Sequence, residues 1–350
     1  MLAGAALLLT MFGVLMVFDA SVVEAYRDFL DKFYFARQQL VWAVAGVAAM
    51  LIFSSIPYQV YRKAAIWAFA VSLLLLVLVL IPSVGTKVLG ARRWITIGGI
   101  GIQPAELVKL TITMYLSTFF EKNIRFIHFA LIVSLVVGLI MLEPDLGTAA
   151  VVAVIAFAIY FLAGASWKSV FLTSAAGILG ATGFILSSQY RRARILTFLD
   201  PTKDPLGASY HIRQVLIALG SGGLFGVGIG KSRQKYEYIP AATTDSIFAI
   251  IAEELGFLGG LTLITLFVVF FVRSFSIAKR AADRFGQLLA SGIAIWIATQ
   301  TVINLGTMVA LVPLTGVPLP FISYGGSSTI AVLSAVGILL NISKSADEKQ

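Results

Sequence analysis

Two adjacent arginines and a nearby acid–base pair form the first group of residues that could do chemistry. Arg92 and Arg93 precede Glu106 and Lys109 by about a dozen residues. Arginine suits phosphate because its planar guanidinium donates two hydrogen bonds at once. Pro104 fits the first turn of a helix, which would place Glu106 and Lys109 on one face, where they can pair. The group indicates either a cationic phosphate site or a structural ion pair with arginines that anchor to lipid head groups.

A second group places two carboxylates in a tight turn, Glu143-Pro144-Asp145-Leu146-Gly147-Thr148. Glu143 and Asp145 could hold a divalent cation together. Asp145 also lies near the start of the next apolar run, where an aspartate commonly accepts backbone N–H groups as a helix cap. The spacing alone favours capping for Asp145, and both carboxylates remain candidates for substrate binding.

The third group is the basic stretch Tyr190-Arg191-Arg192-Ala193-Arg194. A basic amphipathic stretch commonly lies on a bilayer surface. Arginines at that position could also contact a lipid diphosphate, and the two interpretations are compatible. Arg191 is the candidate substrate-binding residue of this group.

The fourth group contains Asp245, at the point where the polar segment Tyr238–Thr244 enters a hydrophobic run. An aspartate at this position commonly serves as a helix N-cap. Thr243 or Thr244 could cap the helix instead, and Asp245 would then be available for catalysis. Spacing leaves both alternatives open.

Other classes of site have little support in the sequence. There is no cysteine, which excludes disulfides and thiolate metal sites, and the two histidines, His128 and His211, lack metal-ligand spacing. There is no P-loop and no GxSxG motif. The glycines of Gly226–Gly230 lack the strand–helix frame that a dinucleotide needs. Basic residues lie beside apolar runs, which favours lipid over nucleic acid as a partner.

These groups must be positioned by membrane-spanning helices. Hydrophobic residues make up 59% of the chain and charged residues 12%, whereas soluble domains carry about 25% charged residues. Long apolar runs without period-2 alternation predict helices, because lipid offers no partners to free backbone groups. The first run is interpreted as a span, not a cleaved signal peptide. The ten predicted runs are 2–19, 39–56, 64–82, 104–120, 126–142, 147–164, 168–187, 246–272, 286–312 and 327–342.

Basic residues predict the orientation. With a cytoplasmic N-terminus, eleven basic residues fall in inner loops and the tail, and six fall in short outer loops; this favours cytoplasmic termini at both ends.

Two outer segments are unusual, the glycine-rich 83–103 and the loop of nearly sixty residues at about 188–245. We expect the long loop, between spans seven and eight, to be ordered. The prediction is one all-α polytopic domain over residues 1–350.

Several blocks together resemble the SEDS family (shape, elongation, division and sporulation), and look closer to its FtsW branch than to its RodA branch. The resemblance covers nearly the whole chain. It rests on five blocks: Gly90–Lys109, Glu143–Thr148, Gln214–Gly230, Ile239–Gly256 and Pro318–Ser328.

The resemblance implies ten spans with cytoplasmic termini in the bacterial cytoplasmic membrane. It implies a peptidoglycan glycosyltransferase that polymerises lipid II at the outer face, with a class B penicillin-binding protein and other division or elongation machinery as partners. Asp245 matches the family's essential aspartate, Glu106 and Lys109 match its cavity pair, and Gln214 is carried over as a substrate-binding candidate. No tightly bound cofactor is expected; a divalent cation, Mg or Mn, would accompany the lipid diphosphate.

The chain departs from the family's usual LPExxTDFIF block. Ala241 replaces its glutamate, Thr243 stands two residues before the aspartate where histidine is usual, and Ser246 replaces its first phenylalanine. The expected mechanism has Asp245 as the general base for the acceptor hydroxyl. The alternatives are a lipid II flippase, an elongation-specific RodA-type polymerase, and a division scaffold in which Asp245 is only a cap.

Overall fold

The chain folds into a bundle of apolar helices. The structure, a computed structural model, describes residues 1–88, 91–187, 192, 196–198, 209–236 and 238–347. Eleven helices have defined bounds in this part of the chain: α1 (Leu2–Phe29), α2 (Tyr34–Ser55), α3 (Tyr58–Leu80), α4 (Pro104–Phe120), α5 (Phe126–Leu142), α6 (Leu146–Leu162), α7 (Trp167–Leu186), α8 (Tyr210–Gly222), α9 (Ile247–Arg280), α10 (Arg284–Met308) and α11 (Gly326–Asp347).

Each of the ten predicted apolar runs coincides with a helix. Seven helices are long and apolar enough to cross a membrane: α1, α2, α3, α7, α9, α10 and α11. The helices α5 and α6 are apolar but only 17 residues long, and α4 has the same length and carries Glu106 and Lys109. The prediction of a polytopic helical membrane protein is confirmed, while the number of crossings and their orientation stay predictions.

Several helices are longer than their apolar runs, and α1 and α9 show the largest extensions. Helix α1 continues past the predicted end at residue 19 to Phe29, because Ala20, Ser21 and Ala25 remain buried against neighbouring elements. Helix α9 ends at Arg280, eight residues beyond the predicted end at 272. Hydropathy shows only where the apolar sequence ends. A helix can continue beyond that point while residues on one of its faces stay packed against neighbouring elements.

A small sheet departs from the all-α prediction. Strands β1 (Gly85–Val88), β2 (Ala91–Ile97) and β3 (Ile100–Ile102) form a three-stranded antiparallel sheet in sequence order. The β2–β3 turn is Gly98-Gly99, with φ of 57° and 83°, and two consecutive positive φ values are what a two-residue hairpin turn needs. Strands β1 and β3 are too short to show alternation, and in β2 the adjacent polar residues Arg92 and Arg93 interrupt it.

Helices α10 and α11 lie at the centre of the bundle, and close helix contacts hold α11 in place. About two-thirds of the apolar window is buried in α10 and 72% in α11, whereas α7 has no buried residue. Glycine lets α2 and α11 approach closely: a Cβ at Gly46 would lie 2.6 Å from Leu333 Cδ1, and one at Gly337 would lie 2.4 Å from the Met50 carbonyl oxygen. Small residues allow this kind of contact between membrane helices.

Helix α8 is amphipathic and packs along the first turns of α9. Its buried residues are Ile212, Val215, Ala218 and Gly222, a spacing that forms one helical face. Gly222 lies so close to α9 that an added Cβ would fall 2.1 Å from the Ala252 carbonyl oxygen. The described part of the predicted long loop therefore contains ordered structure.

Candidate active site

Asp245 lies at the junction between a polar segment and the start of α9. The N-cap residue of α9 is Ser246, whose side chain makes no capping hydrogen bond. Asp245 thus lies one residue before the cap position, and its catalytic role stays a prediction. The side chain is half-buried, and its Oδ1 accepts a hydrogen bond from Thr244 Oγ1 at 3.1 Å.

The backbone before the aspartate is held by the connecting segment, which we define as residues 313–325 between α10 and α11. Ser323 Oγ donates to the Thr244 carbonyl at 2.5 Å. The Tyr324 N–H donates to the Thr243 carbonyl at 2.9 Å. Two successive carbonyl groups of the polar segment are therefore fixed from one side.

Asn304 on α10 fixes the carbonyl of the aspartate itself. Its Nδ2 donates to the Asp245 carbonyl and to the Val317 carbonyl, at 2.8 Å in both cases. Gly316, with φ of 74°, faces the carboxylate, because a Cβ built there would lie 3.9 Å from Asp245 Oδ2. The carboxylate thus stands against a stretch of backbone without a side chain.

The predicted ion pair between Glu106 and Lys109 is present and deeply buried. Lys109 Nζ lies 2.7 Å from Glu106 Oε1, and each residue is about 1% exposed. The same ammonium donates to Gln300 Oε1 at 2.9 Å and lies 5.4 Å from the ring centroid of Trp296. Gln300 Nε2 in turn donates to the Pro318 carbonyl at 3.0 Å. The pair therefore joins α4 and α10 to the connecting segment.

The two arginines of β2 have different surroundings. Successive strand residues point to opposite faces. Arg93 donates from Nε to the Glu143 carbonyl at 2.9 Å and from Nη2 to the Pro144 carbonyl. Arg92 Nε is buried and has no hydrogen-bond partner in the described part of the chain. Arg93 is thus engaged by backbone, which leaves Arg92 as the better placed of the two for an anionic ligand.

The turn between α5 and α6 holds one capping and one buried carboxylate. Asp145 Oδ1 accepts from the Thr148 N–H at 2.9 Å, which confirms the predicted cap. Glu143 is about 1% exposed, and neither carboxylate oxygen has a hydrogen-bond partner among the described residues. Burial and the nearby charge of Asp145 raise the pKa of Glu143 to about 8, although Arg93 acts in the opposite direction.

The turn that holds Glu143 packs against the connecting segment beside Asp245. A Cβ at Gly147 would lie 2.5 Å from Val317 Cγ2 and 2.7 Å from the Thr315 carbonyl oxygen. These two residues flank Gly316, which faces the Asp245 carboxylate. The turn with Glu143 and Asp145, the Asp245 carboxylate and the Glu106–Lys109 pair therefore all lie beside the connecting segment.

The remaining candidates are less well defined. Arg191 lies outside the described residues. Arg192 is exposed. Gln214 is half-buried on α8, and no hydrogen bond of its side chain is seen in the described part. Their predicted roles in substrate binding stay predictions.

Sequence reasoning missed the residues that position Asp245. Gln300 and Asn304, four residues apart on α10, and Ser323 in the connecting segment supply the key hydrogen bonds. The sequence did contain a signal for Gln300 and Asn304, because both are polar residues inside an apolar run. Such side chains usually face the protein interior and form hydrogen bonds to other helices.

The described residues contain no ready-made metal centre. No group of three or more His, Asp or Glu side chains that could hold a metal is found in that part of the chain. Magnesium is commonly held by one or two carboxylates together with substrate phosphates. The buried, unpaired carboxylate of Glu143 fits that role better than Asp145, whose Oδ1 is occupied by the cap.

Comparison with known proteins identifies the family. The FtsW/RodA/SpoVE family, described as a cell cycle protein, matches residues 1–348. The chain belongs to this family. Stage V sporulation protein E of Bacillus subtilis is 43% identical over 346 residues, which cover 97% of the chain and 94% of the relative. A probable peptidoglycan glycosyltransferase FtsW of Trichlorobacter lovleyi is 40% identical over 343 residues, covering 96% and 90%.

Solved structures of the FtsW/RodA/SpoVE type agree in fold. A chain from a study of how a peptidoglycan synthase complex coordinates polymerization and crosslinking matches with a TM-score of 0.81 at 29% identity, covering 99% of this chain and 97% of that one. The rod shape determining protein RodA of Thermus thermophilus matches with a TM-score of 0.72 at 29% identity, covering 98% and 95%. The fold around Asp245 is therefore that of the family.

Proposed function

We propose that this chain is a peptidoglycan glycosyltransferase that polymerises lipid II during cell division. Relatives at 37–40% identity over nearly the whole chain are named probable peptidoglycan glycosyltransferase FtsW. The observation that carries the catalytic assignment is the placement of Asp245: it precedes the cap of α9, is half-buried, and has its carbonyl fixed by Asn304.

The proposed reaction requires one general base. The 4-hydroxyl of the acceptor sugar attacks the anomeric carbon of the donor, and the new glycosidic C–O bond forms as the bond to the diphosphate oxygen breaks. The Asp245 carboxylate takes the hydroxyl proton, and the diphosphate leaves with the bonding electron pair. Glycosidases need a second carboxyl group to protonate the leaving group, whereas diphosphate departs without a proton. Such a base typically contributes about 10²–10⁴ in rate.

Charge on the departing diphosphate needs stabilisation by fixed cations. Of the two arginines of β2, Arg92 is the better placed, because Arg93 is engaged by two backbone carbonyls. Lys109 is already paired and buried, so its contribution is to hold the connecting segment in place. A Mg or Mn ion bound with the diphosphate would add positive charge, and Glu143 is the residue we assign to hold it. Binding would require its carboxyl group, whose pKa burial raises to about 8, to lose its proton.

The cellular setting follows the same proposal. We place the protein in the bacterial cytoplasmic membrane with both termini in the cytoplasm and the Asp245 site at the outer face. The similarity to a chain of a peptidoglycan synthase complex supports a partner that cross-links the strands, a class B penicillin-binding protein.

A polymerisation assay tests the function. The purified protein is combined with its cognate penicillin-binding partner and labelled lipid II, with moenomycin present to block other glycosyltransferases. Wild type should form long glycan strands, and Asp245→Asn should form none. Asp28→Asn is the matched control, because Asp28 is exposed near the end of α1 and pairs with adjacent Arg27.

Each outcome of this assay has a distinct meaning. Strands made by Asp245→Asn would refute the role of Asp245 as the base. If the protein moved lipid II across vesicle membranes but formed no polymer, the proposed enzymatic function would be wrong and a transporter function would be supported. Loss of activity in Asp28→Asn would mean that removing a carboxylate away from the site also stops the reaction, which would remove the support for a specific base.

A further inference from the structure

We propose, resting on the function above, that His211 is a positioning residue for Asp245. His211 lies in the first turn of α8, and its Nε2 is 2.7 Å from Ser246 Oγ. Ser246 directly follows Asp245 and is the N-cap residue of α9. The imidazole therefore fixes the residue next to the proposed base, from the side of the amphipathic helix.

The hydroxyl of Ser246 is committed to this contact. Ser246 is fully buried, and its side chain makes no hydrogen bond to the first turn of α9 although it occupies the cap position. A serine at that position ordinarily accepts from a backbone N–H of the helix. Its geometry is thus set by His211 and not by local capping.

The peptide unit between Asp245 and Ser246 is held at both ends. On one side, Asn304 Nδ2 donates to the Asp245 carbonyl at 2.8 Å. On the other side, the His211–Ser246 contact ties the next side chain to α8. The Ser246 N–H also donates to the Ala241 carbonyl at 3.3 Å. Loss of the imidazole would therefore loosen this peptide unit on its Ser246 side and shift the carboxylate direction without freeing the unit.

Helix α8 itself is anchored independently of His211. Its apolar face, which includes Ile212 and Val215, is buried, and Gly222 approaches the Ala252 carbonyl closely. This packing fixes α8 beside α9 further along the helix. The hydrogen bond with His211 therefore holds Ser246, and with it Asp245, in a fixed position relative to α8. Loss of the imidazole should displace Asp245 while α8 stays packed against α9.

The kinetic consequence is specific. A displacement of about 1 Å at a reacting group can cost about 10²-fold in rate. We expect His211→Ala to lower kcat for polymerisation by about 10- to 100-fold, with KM for lipid II changed less than about twofold. A residue that only stabilised the fold would lower the amount of active enzyme and the unfolding midpoint together.

The experiment is a double-mutant cycle in the lipid II assay with the partner protein present. His211→Ala, Ser246→Ala and the double variant are compared for kcat and KM, together with His211→Gln, which keeps a hydrogen-bonding group. Leu216→Ala is the control, because Leu216 lies on the exposed side of the same helix. The expected result is that the double variant is no slower than the slower single variant and that His211→Gln recovers most of the lost kcat.

Other results overturn the proposal. Additive losses in the double variant would mean that the two residues act separately. A kcat for His211→Ala within twofold of wild type, or a loss confined to KM, would also overturn it. If His211→Ala does not fold, Ser246→Ala carries the test alone, and a kcat within twofold of wild type for that variant would overturn the proposal. Failure of the proposed function is distinguishable, because wild type would then form no strands.

Discussion

Replacing Lys109 by methionine should strongly destabilise the protein. Lys109→Met leaves the Glu106 carboxylate buried without its ammonium partner, and Glu106 Oε2 already has no hydrogen bond among the described residues. Removing one member of a buried ion pair typically costs about 3–5 kcal/mol, because an uncompensated charge stays in the interior. The loss of the bond to Gln300 acts in the same direction.

A double variant separates the charge effect from the packing effect. Glu106→Gln combined with Lys109→Met removes both charges at similar volume, and buried pairs replaced together are often neutral or even stabilising. We expect the double variant to recover most of the lost free energy of unfolding. The matched control is Arg62→Met, which breaks the more exposed pair with Glu121 and should cost at most about 1 kcal/mol.

Equilibrium unfolding in mixed micelles provides the measurement, followed by the fluorescence of the five tryptophans. Trp296 donates to Gln300 at 2.9 Å beside the ion pair, so its emission also reports on the local environment. A loss below about 1 kcal/mol for Lys109→Met, or a double variant as unstable as the single one, would refute the assignment of a fixed buried pair.

Three further predictions concern the turn between α5 and α6 and the orientation of the chain. Burial raises the pKa of Glu143 to about 8 from its ordinary 4.5. Between these pH values the folded state keeps a proton that the unfolded state releases, so the free energy of unfolding should fall as pH rises. In melting experiments at several pH values, Glu143→Gln should make this dependence on pH weaker. Asp145→Ala should lose the cap of α6 and about 1 kcal/mol in the unfolding assay, with Asp145→Ser close to wild type. Because the chain has no cysteine, single variants can be labelled with an impermeant maleimide: Lys87→Cys should react in intact cells, Lys63→Cys only after permeabilisation, and the reverse pattern would invert the proposed orientation.

Local rules predicted the parts of the structure that depend on nearby sequence. The apolar runs became helices because lipid leaves backbone groups no other partners. Glu106 and Lys109 pair because three residues bring side chains onto one helical face. Asp145 caps α6 because it stands just before the first helical residue, Leu146.

Contacts between distant residues could not be predicted in this way. Arg93 bonds to the carbonyl of Glu143, fifty residues away, and no local pattern signals such a partner. Whether Asp245 caps α9 depends on where the helix starts, and a shift of one residue decides the answer. The role of Asn304 follows only once α10 and the connecting segment are known to be neighbours.

The close approach at Gly337 links the middle of α11 to chemistry that takes place at its beginning. Gly337 lies eleven residues after Gly326, where α11 starts, a distance of about 16 Å along the helix axis. Any side chain at Gly337 would wedge against the backbone of α2 and tilt α11 as a lever arm. The connecting segment leads directly into the start of α11. We therefore expect Gly337→Ala to displace the connecting segment and the backbone that contacts Asp245. Polymerisation activity should therefore depend on a glycine in the middle of α11 that lies away from Asp245.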